Sequence, residues 1–393
     1  MPVKTKIPES KLLDKPQDMR RKPYKDIVIF SPVGDMAQLD GFAKHVKELG
    51  IDKEADFLFI YRQGLDYKDY GLSAVHLMEK MALGTSGAFY AGQVTSYEFG
   101  YGTIVVTDLD ALIDSKKTFD EIVNLARKEK KGVCPLSTSQ ITNEDNRAYS
   151  FNHWGTFTRE IFENYGFSIP YFIKGGEDYE FTCRYKTAGA TILYENGTVF
   201  HPASGTTIYH KMLEKKKQYA YLPNLLKALV FVKRYEKNAI LKYIFWYMNY
   251  AFFADAFDDK QLNKVLKGIK SFEIVKVEDD KTSQKIKITK IKDRGLFRSY
   301  SVVDNIGIIF SIFHLLIRKK YVVGTEQISL EMPRTELLIG IIKGIVLSPL
   351  RFIEAIDSAN KFEKNTGDIY PPKPQSIKKA EDMLISVLKE NKF

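Results

Sequence analysis

The sequence has few of the residues that mark a secreted or cysteine-rich metal-binding fold. Among 393 residues there are two cysteines, Cys134 and Cys183, too few for a disulfide-stapled scaffold or a cysteine-based zinc framework. Residues 1–25 are polar and basic and lack the apolar core of a secretory signal, so we expect a reducing, cytoplasmic setting. With 44% hydrophobic and 27% charged residues, the composition is typical of a globular protein with two or three domains.

The chain also lacks a clean membrane-spanning segment, although it has three strongly apolar runs. A spanning helix needs roughly 20 mostly apolar residues. Residues 240–257 and 335–356 are interrupted by lysine or arginine, and residues 305–320 are too short. Short apolar helices flanked by basic residues are typical of helices that lie in the bilayer interface. The runs therefore favour a peripheral, monotopic attachment, with an ordinary buried helical subdomain as the alternative.

The excess positive charge lies in the second half of the chain. The formal net charge is +10, and residues 207–393 hold 34 Lys and Arg against 21 Asp and Glu, whereas residues 1–206 hold 25 against 28. A basic surface attracts nucleic acid or anionic lipid. Because the charge accompanies the apolar runs and no nucleic-acid-binding motif is present, we expect an anionic membrane surface as partner, and no nucleic acid.

The first half alternates strand and helix patterns, which favours an α/β sheet with crossover helices. The predicted strands are 26–31, 56–61, 103–107, 132–135 and a pair within 190–200 that turns at Asn196-Gly197. The predicted helices are 38–49, 72–83, 88–99, 118–130 and one that ends near Gly189. From about residue 207 the pattern becomes helical and basic, and a proline-rich linker leads to a last amphipathic helix, 377–388.

Two acidic residues, Asp108 and Asp110, come directly after the buried strand 103–107. Ligands of open α/β sheets bind at the carboxyl ends of the strands. Adjacent carboxylates repel one another unless a cation lies between them, and a hard divalent cation with phosphate oxygens as further ligands meets that need. The position after a strand favours a metal site over a surface loop.

A second signal is the run Gly-Gly-Glu-Asp at 175–178, which opens a predicted helix. Acidic residues at this place are common because they cap the free N–H groups and favour the helix dipole. A carboxylate held at a helix start after two glycines is also well placed as a general base toward an acceptor hydroxyl, and Asp178 is the candidate.

The third signal is His201, which follows the last strand of the first half and precedes Pro202. A lone histidine is most often structural or exposed. At the end of this strand, its imidazole would be able to complete a metal site begun by Asp108 and Asp110.

Taken in this order, the three signals resemble the A-type fold glycosyltransferases of family 2, over roughly residues 26–240. Residues 84–92 look like the family's Asn-x-Gly-Gly segment ahead of the Asp-x-Asp strand, with Gly84 in place of the usual Asn. Residues 152–162 resemble its acceptor-side segment ending in Arg-Glu-x-Phe, and Glu177-Asp178 matches its Glu-Asp pair. Residues 219–237 resemble a helix found in rhamnosyl- and galactofuranosyltransferase-like members.

The resemblance implies an inverting sugar transfer in one displacement. Asp108, Asp110 and His201 would hold Mn²⁺ or Mg²⁺ on the donor diphosphate, and Asp178 would take the proton from the acceptor hydroxyl. On the acceptor side it implies Trp154, stacked on a sugar face, and Glu177. The predicted donor-binding residues are Ser31, Pro32, Arg62, Ser86, Gly87 and Asp108, with Arg62 as a candidate contact to a phosphate.

The sequence departs from the family pattern at two strand ends. The first strand ends in Ser-Pro-Val-Gly-Asp at 31–35 where Thr-Tyr-Asn is common, and the second in Tyr-Arg-Gln-Gly at 61–64 where Asp-Asp-Gly-Ser is common. These segments hold base and ribose in the family, so the nucleotide stays open, with UDP favoured. Because the Gln-x-x-Arg-Trp signature of processive synthases is missing, we expect one sugar per binding event.

The resulting prediction is an α/β, A-type glycosyltransferase with a Rossmann-like mixed sheet and a largely helical, basic, membrane-associating C-terminal region. The predicted division is a basic extension 1–25, a catalytic domain 26–206, a helical extension 207–270 and the C-terminal region 271–393. We expect transfer to a lipid-linked or membrane-proximal glycan at the cytoplasmic face of the membrane. A polyprenyl-phosphate sugar synthase and a non-catalytic glycan-binding or scaffold protein of the same fold stay as alternatives.

Overall fold

A computed structural model of the chain describes residues 10–14, 25–137, 151–172, 176–200, 230–235, 320–323, 326–329 and 334–390. Most of the predicted helical extension 207–270 and of the apolar runs 240–257 and 305–320 lies outside these residues.

Eight strands form one mixed sheet. They are β1 (Ile27–Val33), β2 (Ala55–Tyr61), β3 (Ala74–Met78), β4 (Thr103–Thr107), β5 (Leu112–Ile113), β6 (Gly132–Ser137), β7 (His153–Thr158) and β8 (Thr191–Phe200). Their order across the sheet is β3-β2-β1-β4-β7-β6-β8-β5. The first four are parallel, β7 runs antiparallel to both β4 and β6, and β8 is parallel to β6. The α/β class and the mixed sheet expected from the sequence are confirmed.

Helices cover both faces of this sheet. They are α1 (Met36–Glu48), α2 (Gly84–Phe99), α3 (Lys116–Glu129), α4 (Arg159–Tyr165) and α5 (Glu177–Thr187). Side chains of α1 and α3 join one apolar cluster and those of α2 and α5 join the other. Every residue of β2 is buried, as expected for a parallel strand between two helical layers. Asp35 and Ser115 cap α1 and α3 through their side-chain oxygens.

Two predicted elements were wrong. The helix expected at 72–83 is the short strand β3 followed by a loop, because the Ala-Val-His-Leu-Met run pairs in parallel with β2; a run this short fits either period. The strand pair expected within 190–200 is the single strand β8. Its Asn-Gly sequence lies in an irregularity of the pairing with β6, and a side chain at Gly197 would lie 2.2 Å from the Thr118 hydroxyl oxygen.

The C-terminal part begins with a two-stranded hairpin, β9 (Lys320–Val323) and β10 (Glu326–Ser329), and continues with α6 (Arg334–Thr366) and α7 (Ile377–Glu390). The predicted last helix is confirmed as α7. Ala380 and Leu384 of α7 are fully buried in the apolar cluster that includes side chains of α2 and α5. Ser10 donates a hydrogen bond to Glu381 of α7 at 3.3 Å. The apolar face of α7 is therefore used inside the protein. Within the described residues, no helix combines the length and the hydrophobicity that crossing a bilayer requires.

Candidate active site

The carboxyl end of β4 leads into a turn that is held by Asn152, the residue before β7. The backbone N–H of Asp108 donates to the Asn152 carbonyl at 2.8 Å, and the Asn152 side-chain amide donates to the Asp108 carboxylate. The N–H of Ala111 closes the turn on the Asp108 carbonyl at 3.2 Å. Asp108 is thereby fixed in both backbone and side chain before any ligand arrives, which is the preorganisation that a binding carboxylate requires.

Asp108 and Asp110 are partly exposed on either side of the buried Leu109. Two carboxylates without a soft ligand suit a hard divalent cation that takes its other ligands from phosphate oxygens and water. No group of three or more His, Cys, Asp or Glu side chains with metal-site geometry occurs in the described ranges. Among the described residues, the candidate metal ligands at this turn are Asp108 and Asp110. The predicted third ligand, His201, lies outside the described residues.

A second pair of acids begins α5. Gly176 precedes the helix in the left-handed conformation, with φ of 95°, which a residue with a side chain rarely adopts. Asp178 is exposed, and its carboxylate accepts a hydrogen bond from the N–H of Tyr179 at 2.7 Å. Glu177 is only 5% exposed, and the Ser86 hydroxyl donates to its carboxylate at 3.1 Å.

The first acid of this pair is shifted toward its neutral form. Burial, with the negative charges of Asp178 and Asp108 adding to it, raises the pKa of Glu177 to about 8, although the Ser86 hydrogen bond acts in the opposite direction. Asn152 holds Asp108, and the neighbouring Phe151 packs against Phe181 of α5 with the ring centroids 4.6 Å apart, so the β4 turn and the first turns of α5 are neighbours, and the charge of Asp108 acts on Glu177. A buried acid that titrates near neutral pH in such a place is typical of a functional site.

Burial excludes three of the expected direct contacts with substrate. Trp154 is fully buried, its indole N–H donates to the Ala111 carbonyl at 2.7 Å, and its ring packs against Phe42 and Phe119, so the expected stacking on an acceptor sugar is wrong. Ser31 and Ser86 are also fully buried, so neither side chain has surface to offer a donor. Ser86 instead holds Glu177.

The remaining predicted donor-binding residues lie in different surroundings. Arg62 is exposed just beyond β2, where its N–H donates to the Val33 carbonyl at 3.0 Å, and Pro32 is partly exposed at the end of β1. Gly87 is buried in the first turn of α2, and a side chain there would lie 3.0 Å from Leu83. Of these residues, Arg62 is the one whose charge is available at the carboxyl edge of the sheet.

Two residues near this edge were missed by the sequence reasoning. Asn152 orients Asp108, but nothing in the sequence singles it out. Glu79 follows β3; burial raises its pKa to about 7, while a hydrogen bond from the N–H of Leu83 and the charge of Arg62 lower it. Because residues 72–83 were predicted as a helix, Glu79 was not recognised as a site residue. A predicted strand there would have placed this acid at the same edge of the sheet as Asp108.

No protein-family profile matches this chain, and no curated protein does. Among solved structures, the chain is similar to the mannosyltransferase PcManGT from Pyrobaculum calidifontis in complex with GDP-Man and Mn²⁺, at 14% identity and a TM-score of 0.41, over 57% of this chain and 68% of that one. It is similar to S. aureus TarS 1–349 at 10% identity and a TM-score of 0.37, over 65% and 97% of the two chains. It is similar to GalNAc-T7 with UDP, GalNAc and Mn²⁺ at 11% identity and a TM-score of 0.39, over 58% and 50%. Similarities of this size assign no activity.

Proposed function

We propose that this protein is an inverting, metal-dependent glycosyltransferase that transfers one sugar from a nucleotide-sugar donor to a hydroxyl group. The observation that carries the proposal is the convergence of the Asp108-Leu109-Asp110 turn and the Glu177-Asp178 pair at the carboxyl edge of the sheet. Asp108 and Asp110 would bind the metal ion that neutralises the leaving group. Glu177 and Asp178 would face the acceptor hydroxyl. The resemblance of the sequence motifs to family 2 supports the same assignment.

Asp108 and Asp110 are the residues that would hold Mn²⁺ or Mg²⁺. When bound, the cation neutralises negative charge that develops on the leaving nucleoside diphosphate. Asn152 keeps the Asp108 carboxylate aimed at this position, and the exposed guanidinium of Arg62 supplies positive charge at the same edge. His201 is proposed as a further ligand on the sequence argument alone.

Asp178 is proposed as the general base that removes the proton from the attacking acceptor hydroxyl. Its exposure supports this role, since an acceptor has to reach it within hydrogen-bond distance. Glu177, neutral for much of the range below about pH 8, adds little repulsion next to Asp178 and accepts the hydrogen bond that the Ser86 hydroxyl donates. The two adjacent acids thus have different protonation states because their burial differs.

We further propose UDP as the favoured nucleotide and a lipid-linked or membrane-proximal glycan as acceptor, with the protein peripheral to the cytoplasmic face of the membrane. The basic, apolar second half of the sequence supports the membrane position. An acceptor that is a polyprenyl phosphate would need no strong base.

A nucleotide-sugar hydrolysis screen with Mn²⁺ tests the proposal. We expect the wild type to hydrolyse one donor slowly, Asp108→Asn and Asp110→Asn to lose hydrolysis, and Asp178→Asn to keep donor binding while losing transfer. Asp357→Asn, in an exposed ion pair with Lys361, is the matched control and should behave like the wild type. Full activity of the Asp108 and Asp110 variants would overturn the proposal, and full transfer by Asp178→Asn would favour a phosphate acceptor.

A further inference from the structure

Strand β7 carries a bulge at Trp154, where it pairs with β4. Residues 103–106 of β4 face residues 158–155 of β7 in regular antiparallel order, but Thr107 faces His153, so the pairing skips Trp154. Trp154 has a φ of 61°, in the left-handed region. A bulky residue rarely takes this conformation, which costs free energy and persists only where the surrounding structure enforces it. The backbone at Trp154 therefore has a cause outside its own residue.

The bulge sets which residue of β7 faces Asp108. In unbroken register the residue opposite Asp108 would be His153; because Trp154 is skipped, the partner moves by one position and is Asn152. The backbone N–H of Asp108 donates to the Asn152 carbonyl at 2.8 Å, and the Asn152 side-chain amide donates to the Asp108 carboxylate. An amide donates at every pH, whereas an imidazole donates or accepts according to its protonation. The skipped residue thus gives Asp108 a partner that is always a donor.

Two kinds of contact hold Trp154 in place. Its indole N–H donates to the Ala111 carbonyl at 2.7 Å, and its ring packs against two phenylalanine rings with centroids 5.9 and 6.0 Å away. The N–H of Ala111 in turn donates to the Asp108 carbonyl at 3.2 Å. The turn 108–111 is therefore held at its first residue by Asn152 and at its last residue by Trp154.

The residue that follows the bulge has to be a glycine. The N–H of Gly155 donates to the Phe151 carbonyl at 3.1 Å, and a β-carbon on Gly155 would lie 2.2 Å from that carbonyl oxygen. Because the atom in the way belongs to the backbone, a side chain at this position would push residues 151 and 155 apart. The sequence Trp-Gly at 154–155 is therefore what allows Asn152 to reach Asp108.

We propose that Trp154 is a positioning residue for the candidate metal site. A residue that only filled the core would need neither a bulge nor a left-handed backbone. By skipping one pairing step and by holding the Ala111 carbonyl, Trp154 keeps the Asp108 carboxylate in place before a ligand arrives. That Asp108 holds a metal ion rests on the proposed function, whereas the positioning of its turn does not.

Hydrogen exchange of the metal-free, full-length protein tests the positioning. The probes are the backbone amides of Asp108 and Ala111, followed by mass spectrometry of overlapping peptides from residues 103–115. Trp154→Phe keeps an aromatic ring but has no N–H to donate to the Ala111 carbonyl. It should speed the exchange of both amides about tenfold, because the turn then loses one of the hydrogen bonds that order it.

Two further variants separate positioning from a general loss of stability. Gly155→Ala should speed the exchange of the same two amides at least as much, because its methyl group opens the bulge. Val46→Ala also removes buried apolar atoms from the cluster that contains Trp154, and it should leave both amides unchanged. Unchanged exchange in Trp154→Phe or in Gly155→Ala overturns the inference, and so does an equal increase in Val46→Ala.

Calorimetric titration with Mn²⁺ tests the consequence for the site. Trp154→Phe should weaken Mn²⁺ binding about tenfold, and Val46→Ala should leave it unchanged. Unaltered Mn²⁺ affinity in Trp154→Phe would overturn the link between Trp154 and the metal site. If the wild type binds no Mn²⁺ while Trp154→Phe still speeds the exchange, the proposed function fails and the positioning of the turn stands.

Discussion

Replacing Glu177 by glutamine should make the protein more stable at neutral pH. The folded protein raises the pKa of this carboxyl from 4.5 to about 8, chiefly by burial. A raised carboxyl pKa destabilises the folded state wherever the unfolded chain would be ionised. The penalty is absent below about pH 4.5, grows as the pH rises, and is complete above about pH 8. Glutamine has nearly the same shape, keeps an acceptor for the Ser86 hydroxyl and carries no charge.

The magnitude follows from the two pKa values, at about 1.4 kcal/mol for each unit. Glu177→Gln should therefore gain on the order of 3 kcal/mol at pH 7 and less than about 1 kcal/mol at pH 5. Urea unfolding of the metal-free protein at pH 5, 7 and 8.5 measures this difference. Glu48→Gln, at an exposed position of α1, is the control for the same change of atoms. A gain that does not grow with pH, or a loss of stability at pH 8.5, would refute the reasoning.

Three further changes test the packing and the orientation of the site. Arg184→Met should cost about 3–5 kcal/mol in urea unfolding, because it leaves Glu180 buried without its partner at 2.8 Å. Tyr370→Phe removes the hydroxyl hydrogen bonds to Glu180 of α5 at 2.6 Å and to Tyr235 at 2.7 Å and should cost about 1–2 kcal/mol in urea unfolding; an unchanged midpoint would contradict a stabilising role for this contact. Asn152→Ala frees the Asp108 carboxylate and should weaken Mn²⁺ binding at least about tenfold by calorimetry, with the circular dichroism spectrum unchanged.

The strands that the sequence predicts correctly are those with the longest buried apolar runs. β1, β2, β4 and β6 each contain four or five consecutive apolar or β-branched residues. The apolar run of β3 is interrupted by His76, and its neighbouring leucines and methionines complete a helical spacing that the fold does not use. α2 begins at Gly84, four residues before the predicted start, because the Gly-Thr-Ser-Gly run, which is typical of a turn, forms its first turn of helix.

The sequence predicted those candidate site residues whose role depends on lying at the end of a strand or at the start of a helix. Asp108 and Asp178 lie at the end of a strand and the start of a helix, and the structure brings their elements together. Burial was not predictable, because it depends on residues distant in sequence. Trp154 and Ser86 have side chains suited to substrate contact, yet tertiary packing encloses both and gives them structural roles.

Binding of a nucleoside diphosphate by calorimetry, with and without Mn²⁺, tests the central claim most directly. We expect UDP or another nucleoside diphosphate to bind the wild type tightly only when Mn²⁺ is present. The Asp108→Asn and Asp110→Asn variants should each lose at least about tenfold of this metal-dependent affinity. Equal affinity with and without Mn²⁺, unaltered in both variants, would contradict it.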